Sequence, residues 1–137
     1  MFVYRVHHKE TLEGPYTPTH CSVCKSIGKE ISSKHNKNLK QWPAPNAFDT
    51  MQARKNVKLS LRDEDWEAFI FGFDSLSKCL AWFKYDIDLL NRCDFVVSQY
   101  VVDEKYVQSF TEGKQLAFNV NHAWIRTQYP IIYLGNF

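Results

Sequence analysis

One amphipathic segment, residues 74–91, constrains the fold more than any other part of the sequence. Asp74 or Ser75 can cap the start of a helix there, and apolar side chains recur after it at helical spacing. This period predicts a long helix with one face buried in a core. The residues of that face are Leu76, Cys79, Leu80, Phe83, Ile87 and Leu90.

Several segments have the β-branched and aromatic composition of strands. They are residues 2–7, 69–73, 95–102, 115–120 and 131–134. Residues 95–102 are the clearest of them, and we expect this strand to pair antiparallel with residues 115–120, because turn-forming residues separate the two. Pro130 stands at the start of the last segment, where a missing N–H is tolerated on an edge strand.

A second helix is predicted near the N-terminus, ahead of a long irregular segment. Val23, Ile27 and Ile31 are spaced four residues apart, as on one face of a helix. Thr19 can serve as its N-cap. Residues 36–56 show no period and contain two prolines and several asparagines. Because loops of that length in a small domain are often functional, we expect this loop to contribute to binding.

These elements together predict a single α+β domain over residues 1–137. We expect a mainly antiparallel sheet of four to six strands with one or two helices packed on it. The length fits one domain of common size. A hydrophobic share of 45% is enough to offset the entropy of chain ordering by burial.

The composition also indicates where the chain resides. No apolar run approaches the roughly 20 residues of a membrane helix, and residues 1–10 have the pattern of a strand rather than of a signal peptide. We therefore expect no contact with a membrane and a location in the cytoplasm. Four cysteines are too few for a secreted disulfide scaffold, so reduced thiols are expected.

The charge pattern indicates a polarised surface. A formal net charge of +2 is too small to favour nucleic acid as the partner. Five lysines nevertheless crowd one segment in which Glu30 is the only acid. They predict either a basic face that steers a partner or an ordinary solvated face. These lysines are Lys25, Lys29, Lys34, Lys37 and Lys40.

One group of cysteine and histidine residues has the composition of a zinc site. The ligand atoms that zinc prefers are present in His20, Cys21, Cys24 and His35. A single C-x-x-C pair is a weak signal, and the other two cysteines fall in or just after the predicted helix of residues 74–91. Free thiols therefore remain the alternative, and we predict no metal and no cofactor.

No arrangement of residues in the sequence predicts catalysis. The five glycines stand singly, so the sequence contains no phosphate-binding glycine loop. The acids at residues 63–65 have the pattern of a solvated face. The sequence thus gives no catalytic residue and favours a protein that is not an enzyme.

Three stretches of the chain resemble short proteins encoded by phages and prophages. The first is residues 3–8 (VYRVHH) running to Gly14-Pro15-Tyr16, the second is residues 71–76 (FGFDSL) running to Trp82-Phe83, and the third ends in residues 113–118 (GKQLAF). They leave the middle of the chain and its C-terminal residues unmatched. The resemblance implies a phage or mobile-element protein without implying an activity.

The phage-like resemblance, the lack of a catalytic arrangement and a long aromatic-bearing loop beside a basic segment together favour action on a bacterial host. We hypothesise a non-enzymatic protein in the cytoplasm of that host, which binds and inhibits a host protein or protein complex. An antiviral defence component, such as a CRISPR effector, is one such target. Loops and aromatic side chains are frequent in binding surfaces. The predicted contact residues are Lys25, Lys29, Lys34, Lys37, Lys40, Trp42 and Phe48.

The order of elements is also similar, more distantly, to the ADP-ribosyltransferase fold. In that family an arginine on the first strand holds a dinucleotide phosphate, a serine or an aromatic residue precedes a helix, and a glutamate on a later strand aids transfer. The resemblance implies a nucleotide-binding module with residues Arg5, His7, Tyr16, Ser75 and Gln115. It would be catalytically impaired, because Gln115 stands near the position of that glutamate and cannot carry its charge. From the residues alone, Arg5 can equally be a sheet-face cation and Ser75 an N-cap.

Overall fold

Two antiparallel sheets and three α-helices make up the part of the chain that the computed structural model describes, which is residues 1–16, 18, 21–38, 66–109 and 115–132. Each sheet has three strands. The expected α+β class is confirmed, and the six strands agree with the four to six expected. Of the predicted loop at residues 36–56, residues 39–56 lie outside the described ranges.

The first sheet has the clearest predicted strand at its centre. It consists of β1 (Phe2–His8), β3 (Phe95–Val102) and β6 (Ala123–Pro130), in the order β1-β3-β6. β3 pairs antiparallel with both neighbours. Its side chains are mostly apolar and buried, as expected for a strand that is covered on both faces.

The second sheet is formed by short strands. It consists of β2 (Phe69–Gly72), β4 (Val107–Ser109) and β5 (Leu116–Asn119), in the order β2-β5-β4. The predicted pairing of β3 with residues 115–120 is wrong, because both edges of β3 are occupied within the first sheet. Asp103 caps a 3-10 turn that ends β3 and leads the chain into the second sheet.

The two sheets meet where β2 ends beside β1. Tyr4 and Phe73 exchange a pair of backbone hydrogen bonds, each 2.8 Å from N to O. Gly72 allows this close approach, since a Cβ at that position would lie 2.7 Å from Val3 Cγ1 and 3.0 Å from Tyr4 O. A side chain at residue 72 would therefore force the two sheets apart.

The last described strand lies earlier in the sequence than predicted. The predicted edge strand at residues 131–134 is wrong for residues 131 and 132, which follow β6 and are not part of a strand. Residues 133 and 134 lie outside the described residues. β6 ends at Pro130 and alternates half-buried with exposed side chains, as expected for an edge strand. Its exposed positions include Arg126 and Gln128, so a search for apolar runs misses it.

The first helix, α1 (Ser22–Asn36), has Cys21 rather than Thr19 as its N-cap. The sulfur of Cys21 accepts a backbone hydrogen bond of 3.2 Å from the first turn. Both isoleucines of the predicted series face the core, but Val23 is 62% exposed. Four-residue spacing rotates by about 40° per step around a helix, so the first member of the series leaves the buried face.

The predicted helix at residues 74–91 is two helices, α2 (Leu76–Phe83) and α3 (Ile87–Arg92). Ser75 caps α2 through its side chain, as one of the two predicted caps. The predicted apolar face packs in the core. The prediction of one continuous helix is wrong. The chain turns after Phe83, and Asp86, at the start of α3, directs its carboxylate to α1. None of the helices among the described residues is long and apolar enough to cross a bilayer.

Apolar side chains pack on both faces of the first sheet. On one face, the three helices cover Val6, Phe95 and Val97. On the other face, the second sheet joins the first in a cluster of Val3, Tyr100, Val102, Leu116 and Phe118. The first sheet is therefore a middle layer between the helices and the second sheet.

A disulfide joins α1 to the turn after α3. It links Cys24 and Cys93, whose Cα atoms are 5.8 Å apart. The expectation of reduced thiols is wrong for these two residues, whereas Cys21 and Cys79 are free thiols. The number of cysteines bears on the compartment of a protein but does not reveal which of them packing brings together.

Candidate functional site

A cleft of about 190 Å³ opens between β1, the loop that follows it and β2. Its walls are mainly aromatic, and its polar side chains are an arginine and a glutamine. The aromatic residues are Tyr16, Phe71, Phe73 and Phe83, and the polar ones are Arg5 and Gln115. Apolar walls with a few converging polar groups are typical of small-molecule sites.

Arg5 is held in this cleft by its strand and by the backbone around it. It lies in the middle of β1, opposite Ser98. Its Nη1 donates a hydrogen bond of 2.7 Å to Phe71 O, whereas its Nε is buried without an acceptor. Gly14 lets the loop pass close to the guanidinium, since a Cβ there would lie 3.0 Å from Nη2. The guanidinium is thus fixed in place with donor capacity unused.

The cleft carries a positive charge that no carboxylate among the described residues neutralises. Within the described part of the chain, no carboxylate forms an ion pair with Arg5. Burial lowers the pKa of Arg5 and nearby Tyr100 opposes that shift, but arginine keeps its proton in proteins. A partly buried cation is unfavourable unless an anion balances it, and no described residue supplies one, so the cleft would stabilise an anion.

A hydrogen-bond network fixes Tyr16 at the edge of the cleft. Its hydroxyl accepts from Trp82 Nε1 at 2.6 Å and donates to His35 Nδ1 at 2.8 Å. His35 Nε2 in turn donates to Asp86 Oδ2 at 2.9 Å, because a carboxylate only accepts. Asp86 also forms an ion pair with Lys34. The network ties the loop that contains Tyr16 to all three helices.

This geometry gives Tyr16 a positioning role rather than a reactive one. Burial raises the pKa of its hydroxyl above the usual range, so the hydroxyl stays protonated. Its proton and an acceptor site are already used by His35 and Trp82. The hydroxyl is therefore not available to a ligand as a nucleophile or as a proton donor.

Three of the five predicted nucleotide-binding residues line the cleft: Arg5, Tyr16 and Gln115. The other two make contacts elsewhere. His7 is buried, with its Nε2 2.5 Å from Ser98 Oγ. The hydroxyl of Ser75 caps α2.

Sequence reasoning misses the aromatic walls of the cleft. Phe71 lies on β2, Phe73 follows that strand, and Phe83 ends α2. In the sequence these side chains have the pattern of core residues, and nothing in their spacing shows that they meet. The available signal is Gly14 in the loop after β1, since a glycine there permits a close backbone approach.

The predicted partner-binding lysines lie partly on the exposed side of α1. Lys25, Lys29 and Lys37 are exposed, and we call these three residues the basic helix face. Lys34 is half-buried in its ion pair with Asp86. The remaining predicted contacts, Lys40, Trp42 and Phe48, lie outside the described residues.

A shallow groove follows this side of α1. It has a volume of about 460 Å³ and is lined by ammonium, hydroxyl and amide groups. Its residues are Tyr16, Lys29, Ser32, Ser33, Asn36 and Lys37. Tyr16 lines both this groove and the cleft. The two lysines give the groove a positive charge that suits an acidic partner.

Those cysteine and histidine residues of the zinc interpretation that the structure describes do not come together as a metal site. Cys24 is in the disulfide, His35 binds Tyr16 and Asp86, and His20 lies outside the described residues. Across the ranges that the structure describes, no group of three or more histidines, cysteines or acids could hold a metal ion. The zinc interpretation is therefore wrong for Cys24 and His35.

A family model described as Bacteriophage T4 Y00F protein matches residues 1–132. The match spans nearly all of the 137 residues, and so it includes both sheets, the cleft and the basic helix face. It confirms the expected phage origin. No curated protein and no solved structure matches the chain, and the family match does not link it to ADP-ribosyltransferases.

Proposed function

The chain belongs to the Bacteriophage T4 Y00F protein family, and from this premise we propose that it is a phage-encoded protein that binds and inhibits a host macromolecule without catalysing a reaction. The proposed target is a host protein or protein complex in the bacterial cytoplasm. An antiviral defence component, such as a CRISPR effector, is the class of target that a phage gains most by blocking.

The basic helix face is the observation that carries this proposal. Lys25, Lys29 and Lys37 are exposed, and none of the three forms an ion pair within the described ranges. Exposed positive charges of this kind attract an acidic surface. Lys40, Trp42 and Phe48 follow in the sequence, and we propose that they extend the same contact.

The helix that carries this face is firmly anchored. Gly28 brings α1 against the preceding loop, since a Cβ there would lie 2.6 Å from Pro18 Cδ. The ion pair of Lys34 with Asp86 and the core packing of Cys24, Ile27 and Ile31 fix the helix to the rest of the domain. A rigid surface loses little entropy on binding, which favours a stable complex.

Three potentially reactive groups among the described residues are either engaged in hydrogen bonds or buried. The hydroxyl of Tyr16 is engaged on both sides. Ser98 is fully buried, and so is Cys79, whose pKa is raised by burial. These observations support a binding role rather than an enzymatic one.

A pull-down from bacterial lysate, washed at two salt concentrations and read by mass spectrometry, tests this proposal. The wild-type chain should capture one host protein in stoichiometric amount. The variant Lys25→Glu/Lys29→Glu/Lys37→Glu should lose it, because the charge of the surface is reversed. The matched control Lys9→Glu/Lys84→Glu/Lys105→Glu changes the net charge equally at other exposed lysines and should retain it. Equal capture by all three proteins would refute the proposed surface.

Nucleotide binding is the second candidate function, and one observation favours it. Arg5, Tyr16 and Gln115 come from separate parts of the chain and line one cleft. An ADP-ribosyltransferase-like module with glutamine in place of the catalytic glutamate would bind a nucleotide there without efficient transfer. Millimolar NAD should then raise the melting temperature of the wild type but not of Arg5→Met. An unchanged melting temperature would count against this candidate.

A further inference from the structure

We propose that the cleft at Arg5 binds a small organic anion, namely a carboxylate or phosphate attached to an apolar group about the size of one aromatic ring. This site is distinct from the proposed contact with a host macromolecule and does not depend on it. The inference rests on the charge, the walls and the size of the cleft.

The positive charge of Arg5 favours an anionic ligand in the cleft. Arg5 has one hydrogen bond to Phe71 O, a buried Nε without an acceptor, and no carboxylate partner in the described ranges. In a planar guanidinium, two parallel N–H groups can bind both oxygens of a carboxylate or phosphate. An anion in the cleft would thus balance the charge of the guanidinium.

The walls of the cleft call for an apolar group on that anion. Four aromatic side chains line the cleft together with Arg5 and Gln115. The position of one of them, Tyr16, is fixed by its hydrogen bonds to Trp82 and His35. A ring or a short alkyl chain would be desolvated against these walls, whereas a free inorganic ion would leave them unused.

The size of the cleft limits the ligand to about one ring. A cavity of about 150 Å³ can hold benzene, whereas sites for drug-sized ligands start at about 300 Å³. The cleft, at about 190 Å³, therefore accommodates one ring with its anionic group. A dinucleotide would leave most of its surface outside.

Calorimetric titration and thermal shift of the full chain test the ligand class. The probes are benzoate and phenyl phosphate, with benzyl alcohol and inorganic phosphate as the neutral and ring-free controls, and NAD as the large nucleotide. We expect saturable binding of at least one of the two aryl anions and at least about tenfold weaker binding of the three other compounds. The preferred aryl anion then identifies the acid group of the natural ligand.

Variants of the chain test the site itself. Arg5→Met keeps the length of the side chain without its charge and should weaken binding by at least about tenfold. Gly14→Ala adds a Cβ 3.0 Å from Arg5 Nη2 and should weaken it also, so the test survives if Arg5→Met fails to fold. Lys105→Met removes an exposed cation that lies outside both proposed surfaces and should bind as the wild type does.

Three results would overturn the inference. The first is the absence of saturable binding for both aryl anions. The second is unchanged binding in folded Arg5→Met or in Gly14→Ala. The third is tighter binding of inorganic phosphate or of NAD than of the aryl anions, since the apolar walls or the size limit would then have no part in recognition. Loss of the captured host protein in the pull-down leaves these titrations unaffected, so the two proposals fail independently.

Discussion

His7 shows how burial changes an ionisable side chain in this protein. Its ring is fully buried, with Nε2 at Ser98 Oγ and with Nδ1 lacking a hydrogen-bond partner. Burial, followed by the positive charges of Arg5 and His8, lowers the pKa of His7 to about 4. His7 is therefore neutral at neutral pH and adds no second charge to the cation at Arg5.

The free energy of unfolding should fall between about pH 6.5 and pH 4 because of His7. The pKa of this residue is about 6.5 in the unfolded chain, so the unfolded state binds more protons in that window and gains stability as the pH falls. The loss amounts to about 3 kcal/mol on full titration. Urea denaturation near pH 7 and near pH 4.5 should show a smaller loss in His7→Gln than in the wild type.

Glutamine at residue 7 can keep a hydrogen bond to Ser98 without titrating. His122→Gln is the matched control, because it makes the same substitution at an exposed histidine. If His7→Gln lost as much stability as the wild type over this pH range, the neutral state of His7 would be contradicted.

At the scale of single elements, Asp86 connects α3 to α1. Its carboxylate is fully buried and binds Lys34 and His35. Asp86→Ala should lower the free energy of unfolding by about 3 kcal/mol, because it leaves buried polar groups without their partner. Asp74→Ala, which removes an exposed ion pair with Lys78, should cost no more than about 0.5 kcal/mol. Urea denaturation of both variants measures the difference, and equal losses would contradict the structural role of Asp86.

The disulfide between Cys24 and Cys93 should stabilise the oxidised protein. It closes a loop with a sequence separation of 69, for which the chain-entropy relation gives about 4 kcal/mol. A reductant should lower the free energy of unfolding of the wild type. It should lower that of Cys21→Ser equally, because Cys21 is a free thiol in the wild type and takes no part in the bond. Cys93→Ser should be insensitive to reductant. If a reductant destabilised Cys93→Ser, or left the stability of the wild type unchanged, the bond between Cys24 and Cys93 would not be the stabilising one.

Elements defined by local chemistry are predictable from this sequence. The bounds of β3, the cap at Ser75 and the apolar face of residues 74–91 all follow from patterns within a few turns of chain. The break before α3 is not predictable in this way, because it depends on a contact between Asp86 and a helix about 50 residues earlier. The partners of β3 likewise depend on contacts between segments that are distant in the sequence.

Only some residues of the cleft can be predicted from the sequence. Arg5, Tyr16 and Gln115 enter as candidates through a family resemblance, and all three line the cleft. Their aromatic neighbours do not, because Phe71 and Phe83 have the pattern of core residues and meet Arg5 only through the packing of β2 and α2 on β1. Long-range packing of this kind has no local signature.

At the scale of the whole molecule, the packed layers form a core that positions the basic helix face and the cleft. The first sheet lies between the helices and the second sheet, and both its faces are occupied by core side chains. The basic helix face lies on the outer side of α1, and the cleft opens between β1 and β2. Tyr16 lines the cleft and also the groove along α1. The proposed partner and the proposed anion thus bind neighbouring but separate surfaces.

Lysine footprinting tests the central claim, that the basic helix face is covered by a host partner. The protein is acetylated briefly, once in pure form and once in lysate from the bacterial host, and each lysine is quantified by mass spectrometry. Lys25, Lys29 and Lys37 should lose reactivity in the lysate, while exposed lysines elsewhere, such as Lys9 and Lys105, should keep theirs. Unchanged reactivity of the three lysines of the basic helix face would show that no host partner covers this surface.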